Sequence, residues 1–358
     1  MQVVQVILIL GAVQGIFLAI VLGTSKRGNR TANSLLTAII SLFSLNILVH
    51  TLEYINEAFA WYNHSYFLEI IFFLIGPLVY LYVKSLTSPG FRLAWTDLRY
   101  GYFFLGGILF YSTTQLLFGR IEDTIAEDIV VTVILGQNLY FVIRSLRTLR
   151  IHSKAIQEKF SSLAHINLRW LYVLLAICCL IWIMAAFLEI LDVSKDINWD
   201  YIWLVISICL YLIGYLGMRQ PEIFVGNLEK EEIQQIKYQK STLSKEKVEQ
   251  HANRLEKMME EDQSFLNMDI TLNQLATRLS ISSHHLSQII NTHFQMNFFQ
   301  FINSYRIEEA KKRLLDPEKH HLNIAAIAFE VGFSSLSSFN TAFKKHTGLT
   351  PSQFRKES

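Results

Sequence analysis

Charge is what this 358-residue chain has least of. Only 17% of its residues are Asp, Glu, Lys or Arg, where an ordinary soluble domain carries about a quarter. Hydrophobic residues make up 51%, and the mean hydropathy is +0.29. That balance excludes a disordered chain and a purely soluble enzyme, and it points to lipid. Cysteine is scarce as well. Cys178, Cys179 and Cys209 all lie within apolar runs. The adjacent pair suits neither a disulfide staple nor a metal site, so all three read as small apolar fillers. A net charge of +2 singles out no partner.

The little charge there is lies unevenly. Residues 1–220 hold 28 charged side chains, whereas the much shorter stretch 221–358 holds 34. A lipid-solvated part is followed by a water-solvated part. In the first part, apolar runs fall at roughly 3–22, 33–54, 66–83, 100–118, 129–143, 170–191 and 201–218. Most approach the ~20 residues that carry a helix across a bilayer. The run at 129–143 is the shortest and is interrupted by Gln137 and Asn138. The expected architecture is an all-α protein: a seven-helix transmembrane bundle over residues 1–220, then a helical linker over 221–263 and a further helical domain over 264–358.

Loop charge orients the bundle. Twelve Lys or Arg residues, among them Lys26, Arg27, Arg92, Arg147 and Arg169, follow runs one, three and five. The opposite loops hold Arg120 and Lys195 alone. Positive loops stay inside, so the N-terminus is expected outside a bacterial cytoplasmic membrane and everything after Arg219 in the cytoplasm. His50, Glu53, Glu69 and Glu189 gather near the outer ends of the runs. Their bland reading is solvation among lipid headgroups; their sharper one is an outward-facing pocket for a cationic or hydrogen-bonding signal molecule. Gly76-Pro77 predicts a kink within the third run, and Pro221 predicts a joint after the seventh.

The charged tail carries helical signals of its own. Val248, Ala252, Leu255 and Met259 recur at helical spacing, a stripe that fits packing on the next domain better than a dimer seam. Thr271 and Gln274 form a capping box, and Leu272, Leu275, Ala276 and Leu279 follow on one face. After Ser280-Ile281, Ser282 opens a second helix with Leu286, Ile289 and Ile290 inward. Two short helices around a tight turn are the elements of a helix-turn-helix. The arrangement returns 52 residues later with Ile324, Ile327 and Ala328, then Gly332-Phe333, then a helix capped at Ser334 or Ser335 and carrying Phe339 and Phe343. Between the copies, Phe298, Ile302, Tyr305, Ala310 and Leu314 mark one long connecting helix, stopped at Asp316-Pro317.

Residues of about 240–356 resemble the DNA-binding domain of AraC/XylS-type transcription regulators. The resemblance rests on Gly332-Phe333-Ser334-Ser335, on Phe339 and Phe343, on Thr347-Gly348-Leu349-Thr350-Pro351, and on Asn303 to Ala310 in the linking helix. It implies two recognition helices in successive major grooves of double-stranded DNA. His284, Ser287 and Gln288 would face bases from the first, and Leu336, Ser337, Asn340 and Thr341 from the second. Lys344, Lys345 and Arg306 would meet phosphate. The departure is basicity: Gln288 and Thr341 stand where the family commonly has Arg, and residues 264–358 carry only 10 basic against 7 acidic side chains. Weak binding by one reader is therefore expected, with avidity from a homodimer or from membrane-confined copies. The seven-run part resembles, more loosely, the membrane sensor halves of some Bacteroidetes-type regulators.

Two other classes remain to be weighed. A transporter with a regulatory DNA-binding tail calls for polar residues at the bilayer midplane in two matched halves, and here the polar cluster is peripheral. An enzyme calls for a metal-ligand spacing, a phosphate-cradling loop or a nucleophile elbow, and none is found. No catalytic residue, metal or cofactor is expected. The expected partners are DNA, membrane lipid and an unidentified small-molecule or protein signal.

Overall fold

The computed structural model describes residues 3–25, 29–55, 71–88, 90–118, 125–162, 168–190, 200–218 and 245–357. The elements they form are helices, with one isolated antiparallel bridge between Phe160 and Thr271. The chain divides into two compact units. One comprises Met1–Arg150 and Leu168–Val225; the other comprises Ile151–Asn167 and Gly226–Ser358.

The first unit contains α1 (Val3–Thr24), α2 (Arg30–Ile55), α3 (Phe72–Thr87), α4 (Tyr102–Phe118), α6 (Arg169–Ile190) and α7 (Asp200–Met218). It also contains most of α5 (Ile125–Lys159). Each apolar run is thus met by a helix. Among the described residues, three are long and apolar enough to cross a membrane: α1, the Arg30–Leu52 part of α2 and the Ile129–Lys159 part of α5. Helix α3 and the Trp170–Met184 part of α6 are shorter apolar helices.

The first unit turns large apolar side chains outward. Phe17, Leu105, Leu109 and Leu180 are each more than 60% exposed, which lipid tolerates and water penalises. Small residues allow its closest helix approaches. Helix α1 buries Gln5, Leu8, Ala12, Gly15, Ala19 and Leu22 along one stripe. A Cβ added to Gly15 would collide with Ser44, and one added to Gly11 would come to 3.0 Å from Ser207. Close backbone approach through small residues is the packing that works where lipid is as apolar as leucine. Pro77 does lie inside α3. Its neighbours Gln137 and Asn138 turn inward onto α3, and Asn138 Nδ2 donates to Phe72 O at 3.1 Å.

Of the four polar residues expected near the outer ends of the runs, His50 lies on α2 with its ring 5.7 Å from that of Trp203. Glu69 and the side chains of Glu53 and Glu189 lie outside the described residues, as do Lys26, Arg27, Arg120, Lys195 and Pro221.

The second unit contains α8 (Lys245–Asp262), α9 (Leu272–Arg278), α10 (Ser283–His293), α11 (Phe298–Leu315), α12 (Ile324–Glu330), α13 (Leu336–Thr347) and α14 (Pro351–Glu357). Helix α11 is its spine. The N-terminal half, through Phe298, Phe301 and Ile302, joins one core with Leu275, Leu279, Leu286 and Ile290. The C-terminal half, through Ile307, Ala310 and Leu314, joins a second core with Ile327, Phe333, Phe339 and Phe343. The stripe of α8 enters the first core. Ala252, Leu255 and Met259 are fully buried, and Leu255 and Met259 pack with Phe265 and Leu275. That is packing on the reader, as the spacing predicts, and it leaves little apolar surface for a dimer seam.

Candidate nucleic-acid interface

The two helix-turn-helix copies are built from the same backbone bonds. In the first, the Ile281 amide donates to Ala276 O at 3.0 Å and the Leu279 amide to Leu275 O at 3.0 Å. Fifty-two residues on, the Phe333 amide donates to Ala328 O at 3.0 Å and the Val331 amide to Ile327 O at 3.1 Å. Both turns need a left-handed residue to close this way. Ser280 supplies it in the first copy at φ 58°, and Gly332 in the second at φ 94°. Each turn then drops an apolar side chain, Ile281 or Phe333, toward its core.

The caps are those the sequence announces. Thr271 accepts from the Gln274 amide at 3.3 Å while Gln274 accepts from the Thr271 amide at 3.0 Å. Ser282 accepts from the His285 amide at 3.1 Å, which starts α10. Of the two candidates before α13 it is Ser335 that caps, accepting from the Ser338 amide at 3.2 Å. A capping box at Asn297 and Gln300 starts α11, which sequence reasoning passed over although the Asn-x-x-Gln spacing was there.

With Leu286, Ile289 and Ile290 facing inward, α10 turns the other way His284, which is exposed, and Ser287 and Gln288, which are half-buried. Asn291, exposed one turn on, continues this row and donates to Ser287 Oγ at 3.3 Å. With Phe339 and Phe343 inward, α13 exposes Leu336, Ser337, Asn340, Thr341, Lys344 and Lys345. Thr341 gives its one hydroxyl proton to Ser337 O at 2.9 Å. It therefore offers an incoming base edge a methyl group and an acceptor, not a donor.

Charge on this unit is sorted by pairing. Lys311 meets Glu308 at 2.9 Å, and Arg313 meets Glu309 at 2.9 Å and Glu330 at 2.8 Å. These pairs cancel most of the positive charge along α11. Among the described residues, Lys344 and Lys345 take part in no ion pair, and both lie in the last turn of α13. Two exposed ammonium groups beside an uncharged polar stripe make a surface that can hold a phosphate backbone and present hydrogen-bonding groups to bases.

Arg306 is the correction. Expected on phosphate, it is 1% exposed and sits between the two halves of the unit. Its guanidinium donates to Phe265 O at 2.8 Å, Asn267 O at 2.8 Å, Asn303 Oδ1 at 3.3 Å and Ser161 O at 3.2 Å. Burial pulls its pKa down to about 10, which still leaves it charged at neutral pH. A side chain so engaged cannot reach a phosphate. The signal was present in the register, because Ile302, Arg306 and Ala310 follow at i+4 and share the buried face of α11.

The helix-turn-helix domain family matches residues 275–357. The residues matched form a helix-turn-helix DNA-binding regulatory domain. An uncharacterised HTH-type transcriptional regulator of Staphylococcus aureus strain COL is 30% identical over 152 residues, 42% of this chain and 17% of that protein. The melibiose operon regulatory protein of Escherichia coli K12 is 32% identical over 87 residues, 24% of this chain and 28% of that protein. Among solved structures, the C-terminal domain of AraT, a response regulator from Geobacillus stearothermophilus, is 31% identical with a TM-score of 0.26 and covers 33% of this chain and 89% of that one. The chain thus spans less than a third of the length of either curated relative. The similarity of this C-terminal part is to transcription regulators.

Proposed function

We propose that this chain is a membrane-anchored, sequence-specific transcription regulator of the AraC/XylS type, coupling an external or in-membrane signal to gene expression. The observation that carries the reading is the pair of capped helices α10 and α13. Each turns an uncharged polar row away from a packed core, and each follows a turn closed by the same backbone bonds, the two turns lying 52 residues apart. His284, Ser287 and Gln288 read bases from α10, and Leu336, Ser337, Asn340 and Thr341 read them from α13. Lys344 and Lys345 hold phosphate.

The seven apolar helices form the sensor, with the N-terminus outside and the reader in the cytoplasm, as the loop charges favour. The signal meets the outer polar cluster of His50, Glu53, Glu69 and Glu189. With so few free basic groups, a single reader binds weakly, and two copies held in one membrane supply avidity.

Genome-wide mapping of DNA bound by the full chain tests the proposal. Discrete sites are expected, and they should vanish when Gln288→Ala and Asn340→Ala are combined. Binding spread evenly over the genome, or none, would overturn it. A reporter fused after Arg219 should read cytoplasmic in the same cells.

A further inference from the structure

Helix α5 leads directly into the reader. Its residues through Arg150 belong to the first unit and those from Ile151 onward to the second; the candidate membrane span Ile129–Lys159 crosses that boundary, and the helix ends at Lys159. The residues that follow are held on the reader by bonds to both of its halves. Phe160 pairs in an antiparallel bridge with Thr271, the residue that caps α9. Ser161 is buried; its hydroxyl donates to Ile270 O at 2.7 Å and accepts from Arg306 Nη2 at 3.3 Å. Ser162 Oγ donates to Ser334 Oγ at 2.8 Å. Ser334 immediately precedes Ser335, the cap of the second recognition helix.

Arg306 is the node of this arrangement. Its donors join Ser161 to the carbonyls of Phe265 and Asn267, which lead into the first helix-turn-helix. Its guanidinium carbon also lies 5.7 Å from the Phe333 ring, in the turn of the second. A Cβ at Gly332 would stand 3.0 Å from its Nε. One buried cation therefore ties a segment running from a candidate membrane span to both DNA-reading motifs at once. An ordinary surface loop needs no such set of buried polar bonds, because its backbone can be satisfied by water.

We infer that the Phe160–Ser162 segment is a docked transmission element: its engagement with Ser334 and Arg306 sets the position of the second recognition helix, so that DNA binding and docking are coupled. A helix transmits displacement along its length, and α5 has no Pro within its 35 residues. Coupling of this kind is reciprocal, so a ligand at the DNA end must shift the docking equilibrium as surely as a movement of α5 shifts DNA affinity. DNA can therefore serve as the probe while the sensor's own signal is unidentified. The inference rests on the regulator reading above.

The experiment uses the full chain in nanodiscs of phosphatidylethanolamine and phosphatidylglycerol. Cys178→Ala, Cys179→Ala and Cys209→Ala remove the native thiols, and Ser162→Cys with Ser334→Cys places two at the contact. Diamide should join them, and the rate of joining reports docking. Adding an operator duplex found by the mapping should change that rate at least threefold in either direction, while a scrambled duplex should not. Arg306→Lys in the same background should lower the rate without DNA, because an ammonium cannot replace the guanidinium fork. Failure of the pair to join at all overturns the docking. Preferred binding of the operator with an unchanged rate overturns this inference alone. No preference for the operator overturns the regulator reading and this inference with it.

Discussion

The side-chain amide of Gln137 donates at 2.7 Å to the carbonyl oxygen of Phe73, the acceptor that Pro77 leaves without its α-helical partner. A proline has no amide hydrogen, so the carbonyl four residues before it loses the bond that every other turn provides. In an apolar surrounding that orphan is costly, and a neighbouring helix must supply the donor. The two polar residues that interrupt the fifth apolar run are thus what the third run needs. Asn138 bonds both to Phe72 O and back to its own helix at Ile134 O, 2.9 Å away.

Replacing Gln137 by Leu should therefore destabilise the first unit by about 1–2 kcal/mol. Combined with Pro77→Ala, the same change should cost much less, since the alanine amide restores the intrahelical bond to Phe73. Unfolding of the detergent-solubilised chain, read as a double-mutant cycle, checks this. Additive costs would mean that Gln137 serves some other partner.

The two helix-turn-helix turns should respond oppositely to substitution. At Gly332 an added Cβ would lie 2.7 Å from Leu266 O and 2.9 Å from Phe265 O, in addition to the strain of a left-handed alanine. Gly332→Ala should cost at least about 2 kcal/mol. Ser280 already carries its Cβ at φ 58° and is exposed. Ser280→Gly should relieve that strain and leave stability unchanged or raised by about 0.5 kcal/mol. Denaturant midpoints for the two variants check the asymmetry.

Arg306 should behave as a structural cation and not as a DNA contact. Arg306→Ala strands the carbonyls of Phe265 and Asn267 and should cost about 3 kcal/mol. Arg306→Lys keeps the charge but not the fork, so it should be milder yet still destabilising. The lysine variant, where folded, should bind its operator with an unchanged salt dependence. A loss of about one from that slope would return Arg306 to the phosphate backbone.

What was legible in the sequence was what short-range chemistry decides. Thr271 with Gln274 and Ser282 act within one helical turn and are found where the spacing put them; of the stripe from Val248 to Met259, Ala252, Leu255 and Met259 are buried and Val248 is half-buried. The choice between Ser334 and Ser335 needed the structure, because Ser334 is drawn into a contact with Ser162. Ser280 was less legible than Gly332 because a serine announces no left-handed turn. Arg306 was legible in part: its register with Ile302 and Ala310 marks it as buried, but its Ser161 partner lies 145 positions away, and periodicity cannot name a partner. The same holds for Gln137, which reads as a blemish on an apolar run until the carbonyl of Phe73 is brought to it.

On the proposed DNA-facing surface, groups of two kinds should give two kinds of defect. Gln288 lies beside His284 and Ser287 on the outward row of α10 and has both a donor and an acceptor to offer one base. If it reads adenine with both, Gln288→Ala should lower affinity for the preferred sequence by about 1–3 kcal/mol and relax the preference at a single position. Its effect on unrelated DNA should be small. Lys344 is exposed, in no ion pair among the described residues, and placed where the dipole of α13 favours a cation. Lys344→Ala should weaken all sequences about equally and reduce the salt slope by about one. Binding of the full chain to a set of single-position operator variants, at two or more salt concentrations, separates the two effects. Should Gln288→Ala weaken every duplex alike while Lys344→Ala alters one base position, the assignment of reading and holding roles would have to be exchanged. If neither substitution changes binding, α10 and α13 do not face DNA in the way proposed.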